Sequence, residues 1–361
     1  MTPKKNIKGL DLRELREFVE SVGEKPYRSQ QLYGWMYAKC ARSFDEMTDL
    51  PREFRSLLKE RATLGNLEAV TRQTSQLDGT TKLLFRLEDG LMIESVLIPA
   101  ERESATEAAR LTLCVSTQVG CPLDCKFCAT GTMGFSRNLT VGEIADQVLF
   151  LQASTESRIS NVVFMGMGEP MLNYENLMKA IDILSSDHGL NIGRKHITVS
   201  TAGYADHIRR MADEDRKVRL ALSLHSLDNE KRLLLMPINK KYPLPVLLDS
   251  VEYYYRKTRQ RPTFEYILFE GLNDTREDLQ KLVSLSKRIP SKINLIPFHS
   301  IDVTRPTSIA STLRPASDQR MEEFAKNLRA ANVTVMIRSS AGEDIDAACG
   351  QLAVSEENIT T

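Results

Sequence analysis

The sequence has no excess charge of either sign: 48 Lys and Arg balance 48 Asp and Glu over 361 residues. A nucleic-acid partner would have to be met by a local basic surface, because the chain has no global basic field to offer. It also lacks any apolar run near the roughly 20 residues of a membrane span. The start Met1-Thr2-Pro3-Lys4-Lys5 has none of the apolar stretch of a secretory signal. These absences lead to the expectation of a cytoplasmic protein with reduced thiols and no membrane contact. Hydrophobic residues at 42% and charged residues at 27% are ordinary for a globular chain. At this length one large α/β domain with an accessory piece has ample chain for a core.

Cysteine is scarce, and half of the six residues fall in one stretch, Gly120-Cys121-Pro122-Leu123-Asp124-Cys125-Lys126-Phe127-Cys128, directly after the apolar run Leu111 to Val115. Thiolates gathered by so short a loop face one metal centre, and soft sulfur ligands favour zinc, copper(I) or iron-sulfur clusters. The count of three is informative. A structural zinc and an ordinary cubane cluster each take four ligands, whereas a [4Fe-4S] cluster held by three leaves one iron free to bind something else. The competing reading is a zinc knuckle with a remote fourth ligand; alternatively Cys114 or Cys349 is a fourth cluster ligand, which would close the free iron site and argue against cofactor binding.

Three helices are expected in the first sixty or so residues, the second capped by Ser29 and the third starting at Pro51, with Trp35 and Cys40 as core residues. From about Leu67 the period changes to strands, with Asp78-Gly79 and Asp89-Gly90 as turns. The strand Leu91 to Pro99 carries one acid, Glu94, which either faces solvent or is brought into a pocket for proton transfer. Residues 100 to 110 read as a surface excursion. Strands and helices then alternate: helix 140–151, strand 161–165, helix 176–184, strand 195–200, helix 205–212, strand 218–224, helix 245–255, strand 263–269, helix 276–288, strand 292–297, helix 318–330 and strand 333–337. Such alternation predicts parallel strands with crossover helices, a barrel or part of one, with active groups at the strands' carboxyl ends.

Polar residues recur at those ends. Gly166-Met167-Gly168-Glu169-Pro170 offers small residues for close backbone approach to a ligand and a carboxylate for an ammonium group. Ser200, the run Ser223-Leu224-His225 and Asn294 end the strands that follow. Together they read as walls of a small-molecule pocket. Tyr253 to Arg261 interleaves aromatic and basic residues, a pattern that either contacts RNA or forms a solvated helix end, and Lys231-Arg232 with Lys240-Lys241 adds charge nearby.

The cysteine spacing is similar to that of the radical S-adenosylmethionine (radical SAM) enzymes. More closely, the chain resembles the RlmN adenosine methyltransferases of RNA. The resemblance is carried by Asp78-Gly79-Thr80, Glu94 to Pro99, Leu113 to Ser116, Gln118 to Cys121, Gly134-Phe135, Arg137-Asn138-Leu139, Asn161-Val162-Val163, Met165 to Pro170, Ser223-Leu224-His225, Asn294 to Pro297 and the tail Asp344 to Leu352.

It implies a partial (β/α) barrel of radical SAM type, with a helical accessory domain over residues 1–64, a small β extension over 65–99 and the radical SAM core with its tail over 100–361. It further implies a [4Fe-4S] cluster on Cys121, Cys125 and Cys128, and contacts to SAM, used twice per turnover, from Gly168, Glu169, Ser200, Ser223, Leu224, His225 and Asn294. Cys349 would carry the methyl group, Cys114 would be its transient disulfide partner and Glu94 the proton acceptor. The implied reaction is methylation of adenine C2 in 23S rRNA and in tRNA next to the anticodon, by a monomer served by a low-potential donor such as flavodoxin.

Adenine C2 is too electron-poor to attack the methyl of SAM directly, whereas a cysteine sulfur does so readily. The sister family that methylates C8 shares the cluster, both cysteines and the tail. A non-catalytic zinc-containing RNA-binding protein and another radical SAM chemistry, such as glycyl-radical activation, are the remaining alternatives. The chain departs from the pattern at Ala341, where many members have arginine.

Overall fold

A computed structural model describes residues 4–99, 110–299, 309–338 and 340–354; the expected excursion at 100–110 lies outside them except for Arg110. Ten strands form the main sheet: β1 Glu68–Thr74, β2 Thr81–Arg86, β3 Met92–Pro99, β4 Leu111–Cys114, β5 Ile159–Phe164, β6 Ile197–Thr201, β7 Arg219–Ser223, β8 Thr263–Leu268, β9 Lys292–Pro297 and β10 Val335–Ile337. Their spatial order is their chain order. The first four pair antiparallel, and β4 to β10 run parallel.

Seven parallel strands laid down in sequence, each joined to the next by a crossover of the same hand, put their helices on one face and leave the other free to curl inward. The edges β1 and β10 do not pair, so the barrel is partial, as expected. Arg338, just beyond β10, donates from Nη1 to Met165 Sδ beyond β5 at 3.4 Å, a contact between ends of strands five positions apart in the sheet.

The helix-forming stretches are fixed by their ends as well as by their apolar faces. Thr140 and Glu143 form a reciprocal capping box at the start of helix Val141–Ala153, and Thr275 with Asp278 does the same for Arg276–Arg288. The predicted elements 276–288, 292–297 and 318–330 match residue for residue, and the others shift by a few residues at their ends. Short elements escape a periodicity reading: the two-residue ladder Lys5–Asn6 with Ala62–Thr63, the hairpin Gln118–Gly120 with Phe135–Asn138, and helix Asn229–Leu235.

At the N-terminus, helices Leu12–Ser21, Arg28–Tyr37 and Arg52–Arg61 form as predicted. Ser29 lies inside the second helix and does not cap it; its hydroxyl donates to Pro26 O at 2.6 Å. Cys40 is buried, but Trp35 is only half-buried, its Nε1–H on Asp49 and Lys39 Nζ over its ring. The segment before the first helix is tied to the core by a buried ion pair: Lys8 Nζ lies 2.5 Å from Asp146 Oδ1, and Asp146 Oδ2 accepts the Leu67 N–H at 2.7 Å. Gly9 and Gly142 make the crossing close enough, since a Cβ on Gly142 would stand 2.5 Å from Lys8 O.

Removing one partner of such a pair leaves a buried charge uncompensated. Asp146→Ala is therefore expected to lose about 3–5 kcal/mol of unfolding free energy. The double replacement of Lys8 by Met and Asp146 by Leu is expected to recover most of it, read from denaturant midpoints.

Candidate active site

The cysteine loop is held at both ends by its own backbone. Gly120 takes φ +72°, where a Cβ would lie 2.0 Å from Gly134 O, and the Cys121 N–H donates to that same carbonyl at 2.8 Å. Lys126 N donates to Leu235 O, and Ala129 N to Gly350 O at 2.7 Å, so the loop is stitched to helix Asn229–Leu235 and to the C-terminal tail. Cys121, Cys125 and Cys128 line one cavity. Burial raises all three thiols, Cys121 to about 12. Among the described residues no three His, Cys, Asp or Glu side chains are grouped to hold a single metal ion.

Strand ends supply the other walls: Gly166, Gly168 and Glu169 after β5, Ser200 and Thr201 from β6, Ser223 from β7, and His225. The glycines are required by the protein itself. A Cβ on Gly166 would meet Ser116 Oγ at 2.7 Å, and one on Gly168, at φ +100°, would meet Gln118 Cβ at 2.5 Å. Glu169 joins two strand ends, accepting Met171 N–H at 3.0 Å and Ala202 N–H at 2.8 Å, and burial pushes its carboxyl up to about 7. His225, at φ +55°, accepts the Ile267 N–H on Nδ1 at 3.0 Å. Desolvation lowers it to about 3, so the ring is neutral with its proton on Nε2. Leu224 is fully buried and Asn294 half-buried, and neither lines the cavity.

Arg232 was read as surface charge, and the structure overturns this. The residue is fully buried, donating to the carbonyls of Ala202, Ser223 and Leu224 and to Asn239 Oδ1. No carboxylate pairs with it among the described residues; its nearby thiol is Cys125. The Tyr253–Arg261 stretch sits at the amino-terminal edge of β8, whereas Ser200 and Ser223 lie at carboxyl ends of their strands. Tyr254 is buried on Val218 O, Tyr253 and Lys257 engage Asp213, and Arg261 donates to Ser291 O. This is the helix-end reading of that stretch.

The tail brings Cys349 to the cavity. On one side Thr130 Oγ donates to Leu352 O at 2.6 Å; on the other Ala353 N donates to Glu94 Oε2 at 3.0 Å, and Lys82 Nζ to Asp346 O at 3.3 Å. Glu94 is buried, paired with Lys82 at 3.4 Å, and desolvation raises it to about 7 against that cation. It does not line the cavity; it meets the tail. Cys114, at the end of β4, is a buried free thiol raised to about 12. Register places it opposite Val96, two residues from Glu94, so Glu94 and Cys114 share one face of the sheet. Cys349, Arg338 and Ile296 also line a second cavity of about 690 Å³, with Ile98, Thr112, His299, Ser340 and Ala341. Cys349 is a free thiol.

Residues 115–284 match the radical SAM superfamily, and residues 5–64 match the ribosomal RNA large subunit methyltransferase N-terminal domain. A probable dual-specificity RNA methyltransferase RlmN of Flavobacterium johnsoniae is 43% identical over 99% of both chains. One from a Thermotoga species is 44% identical over 99% of this chain and 100% of its own. The chain belongs to the RlmN family. The crystal structure of a radical SAM methyltransferase from Sphaerobacter thermophilus superposes with a TM-score of 0.88 at 38% identity, covering 97% of this chain and 99% of that one.

As a member of the RlmN family the chain is a SAM-dependent methyltransferase, and membership implies a [4Fe-4S] cluster and SAM. The cavity fits them. Its sulfur-only donor set suits iron-sulfur binding, and Arg232 is a buried cation beside Cys125 that an anionic cluster would balance.

Sequence reasoning missed Glu265 and Arg338, which both line the cavity. Glu265 carried the same signal as Glu94, an acid inside an apolar strand, and Arg338 directly follows a strand.

Glu169 binds its proton more tightly in the folded protein, at about 7 against an ordinary 4.5. The stability this lends is full below pH 4.5 and is lost as pH rises through 7. The cofactor-free protein should lose unfolding free energy between pH 5 and 8, and Glu169→Gln should lose measurably less, by denaturant titration at the two pH values.

Proposed function

We propose that the chain methylates C2 of adenosine in 23S rRNA and of the adenosine next to the anticodon in tRNA, with Cys349 carrying the methyl group. The observation that carries this reading is that Cys349 lines both cavities. From one it faces the three cysteines that would hold the cluster and the strand ends that would hold SAM, namely Gly168, Glu169, Ser200, Ser223 and His225, with Leu224 and Asn294 just behind. The other is open to a base.

Cys349 acts first as a nucleophile: its thiolate takes the methyl of one SAM by displacement, at a sulfur suited to the task. Cluster and second SAM, when bound, supply radical hydrogen abstraction from an otherwise unreactive methyl, the step that lets this carbon bond to C2. The protein's part is to hold the sulfur fixed by its tail and to keep water and stray hydrogen donors out. Glu94, near neutral pKa, takes the proton lost from the ring. Cys114 then attacks Cys349 Sγ, so that the sulfur–sulfur bond forms as the carbon–sulfur bond breaks; the freed carbon takes up a proton to complete the methyl group, the odd electron left by radical addition would return to the cluster, and a disulfide remains. A low-potential donor such as flavodoxin returns both sulfurs to thiols.

Ala341 lines the second cavity. Many relatives have arginine at this position, so this wall of the cavity differs from theirs either in one RNA contact or in the substrate subclass it serves.

Turnover under anaerobic conditions with reductant, an rRNA fragment and SAM bearing a fully deuterated methyl tests the route. 2-Methyladenosine that has lost one deuterium is expected on mass spectrometry of the digested RNA. The C8 isomer would move the chain to the sister chemistry, and a product retaining every deuterium would mean direct displacement. Cys114→Ala should accumulate RNA covalently bound to Cys349, visible as a shifted band; turnover without that species refutes the resolving role.

A further inference from the structure

Glu265 is the third residue of β8 and lies in the wall of the cysteine-lined cavity, not of the second one. Its backbone carbonyl accepts the N–H groups of Leu224 and His225 at 3.0 and 3.3 Å, which fixes the end of β7. Its Oε1 accepts from Asn294 Nδ2 at 3.0 Å, and the two residues face each other in the register of β8 and β9. Its Oε2 is buried and has no hydrogen-bond partner among the described residues, in a residue only 4% exposed. Native proteins seldom leave a buried acceptor unmatched, and a charged one is the costliest to leave. Burial raises the Glu265 carboxyl above the ordinary range, and Arg338 and the Asn294 amide work against that shift, Arg338 without closing on it.

We propose that Glu265 is a further residue of the cofactor site, its free oxygen accepting a hydrogen bond from a ribose hydroxyl of bound SAM. This rests on reading the cavity as that site. The methionyl end of SAM belongs beside the cysteine loop and Glu169, next to β5. Glu265 stands three strands away, where the nucleoside end would lie. A carboxylate offers only acceptors, and it stands beside the amide of Asn294. At that end of the ligand the donors are the ribose hydroxyls and the 6-amino group, and the ribose lies nearer the methionyl part held beside β5. Asn294 is half-buried and outside the cavity lining, so its effect on the cofactor passes largely through Glu265.

The test is calorimetric binding of S-adenosylhomocysteine and three analogues to the cluster-loaded full chain. The analogues lack the 2′-hydroxyl, the 3′-hydroxyl or the 6-amino group. Glu265→Gln, with its cluster absorbance unchanged, is expected to bind the parent ligand about tenfold more weakly than wild type. For one deoxy analogue wild type and variant should bind equally. The wild type alone should lose about tenfold on removal of that hydroxyl, which carries the test should the variant not fold.

Equal binding of the parent ligand by both proteins overturns the proposal. So does a constant deficit across all analogues, which would mean that Glu265 acts only by holding Asn294 and the end of β7. A deficit that vanishes with the 6-amino analogue assigns the oxygen to the base and overturns the ribose contact. Wild type that binds none of the ligands overturns the cavity reading itself, and is told apart by needing no variant.

Discussion

Where Cys349 stands is decided by a handful of hydrogen bonds between the tail and two separate parts of the chain. Ala129 and Thr130, in the turn after the cysteine loop, hold the carbonyls of Gly350 and Leu352; Glu94 and Lys82, on the β extension, hold the Ala353 amide and the Asp346 carbonyl. Gly350 completes the fit at φ +88°, where a Cβ would stand 2.9 Å from Phe127 O. Each bond contributes only about 1 kcal/mol net. Their arrangement matters more than their sum, because they come from opposite sides and leave the backbone around Cys349 no direction in which to drift.

The same economy governs the floor of the cavity. Helix Asn229–Leu235 is short, and its main product is the position of Arg232, whose guanidinium gathers three carbonyls from the ends of β6 and β7. Carbonyls at the carboxyl ends of parallel strands point the same way, and a planar fork of donors suits several at once. The cation also faces the thiol of Cys125. Strand ends, histidine turn and cysteine loop therefore share one buried charge.

Much of this was legible in the sequence, for identifiable reasons. The parallel core showed because short apolar runs, the strands, alternate with longer amphipathic stretches, the helices. The cysteine triplet showed through spacing alone. Arg232 did not, because a basic residue beside Lys231 looks like surface charge until the three carbonyls it serves are in place. Ser29 misled because its hydroxyl has a local carbonyl to satisfy, which makes it polar at a helix start without making it a cap. Glu94 was legible as an anomaly, but its direction was not. Periodicity tells which face of a strand a residue occupies, and it does not tell that a tail 259 residues later will come to lie there.

Because Cys349, Arg338 and Ile296 belong to both cavities, the sulfur is part of a partition and not of a floor. A group mounted in a partition is loaded from one room and emptied in the other. Ligands in the two cavities could each meet the same sulfur by a turn of its side chain, with the backbone still.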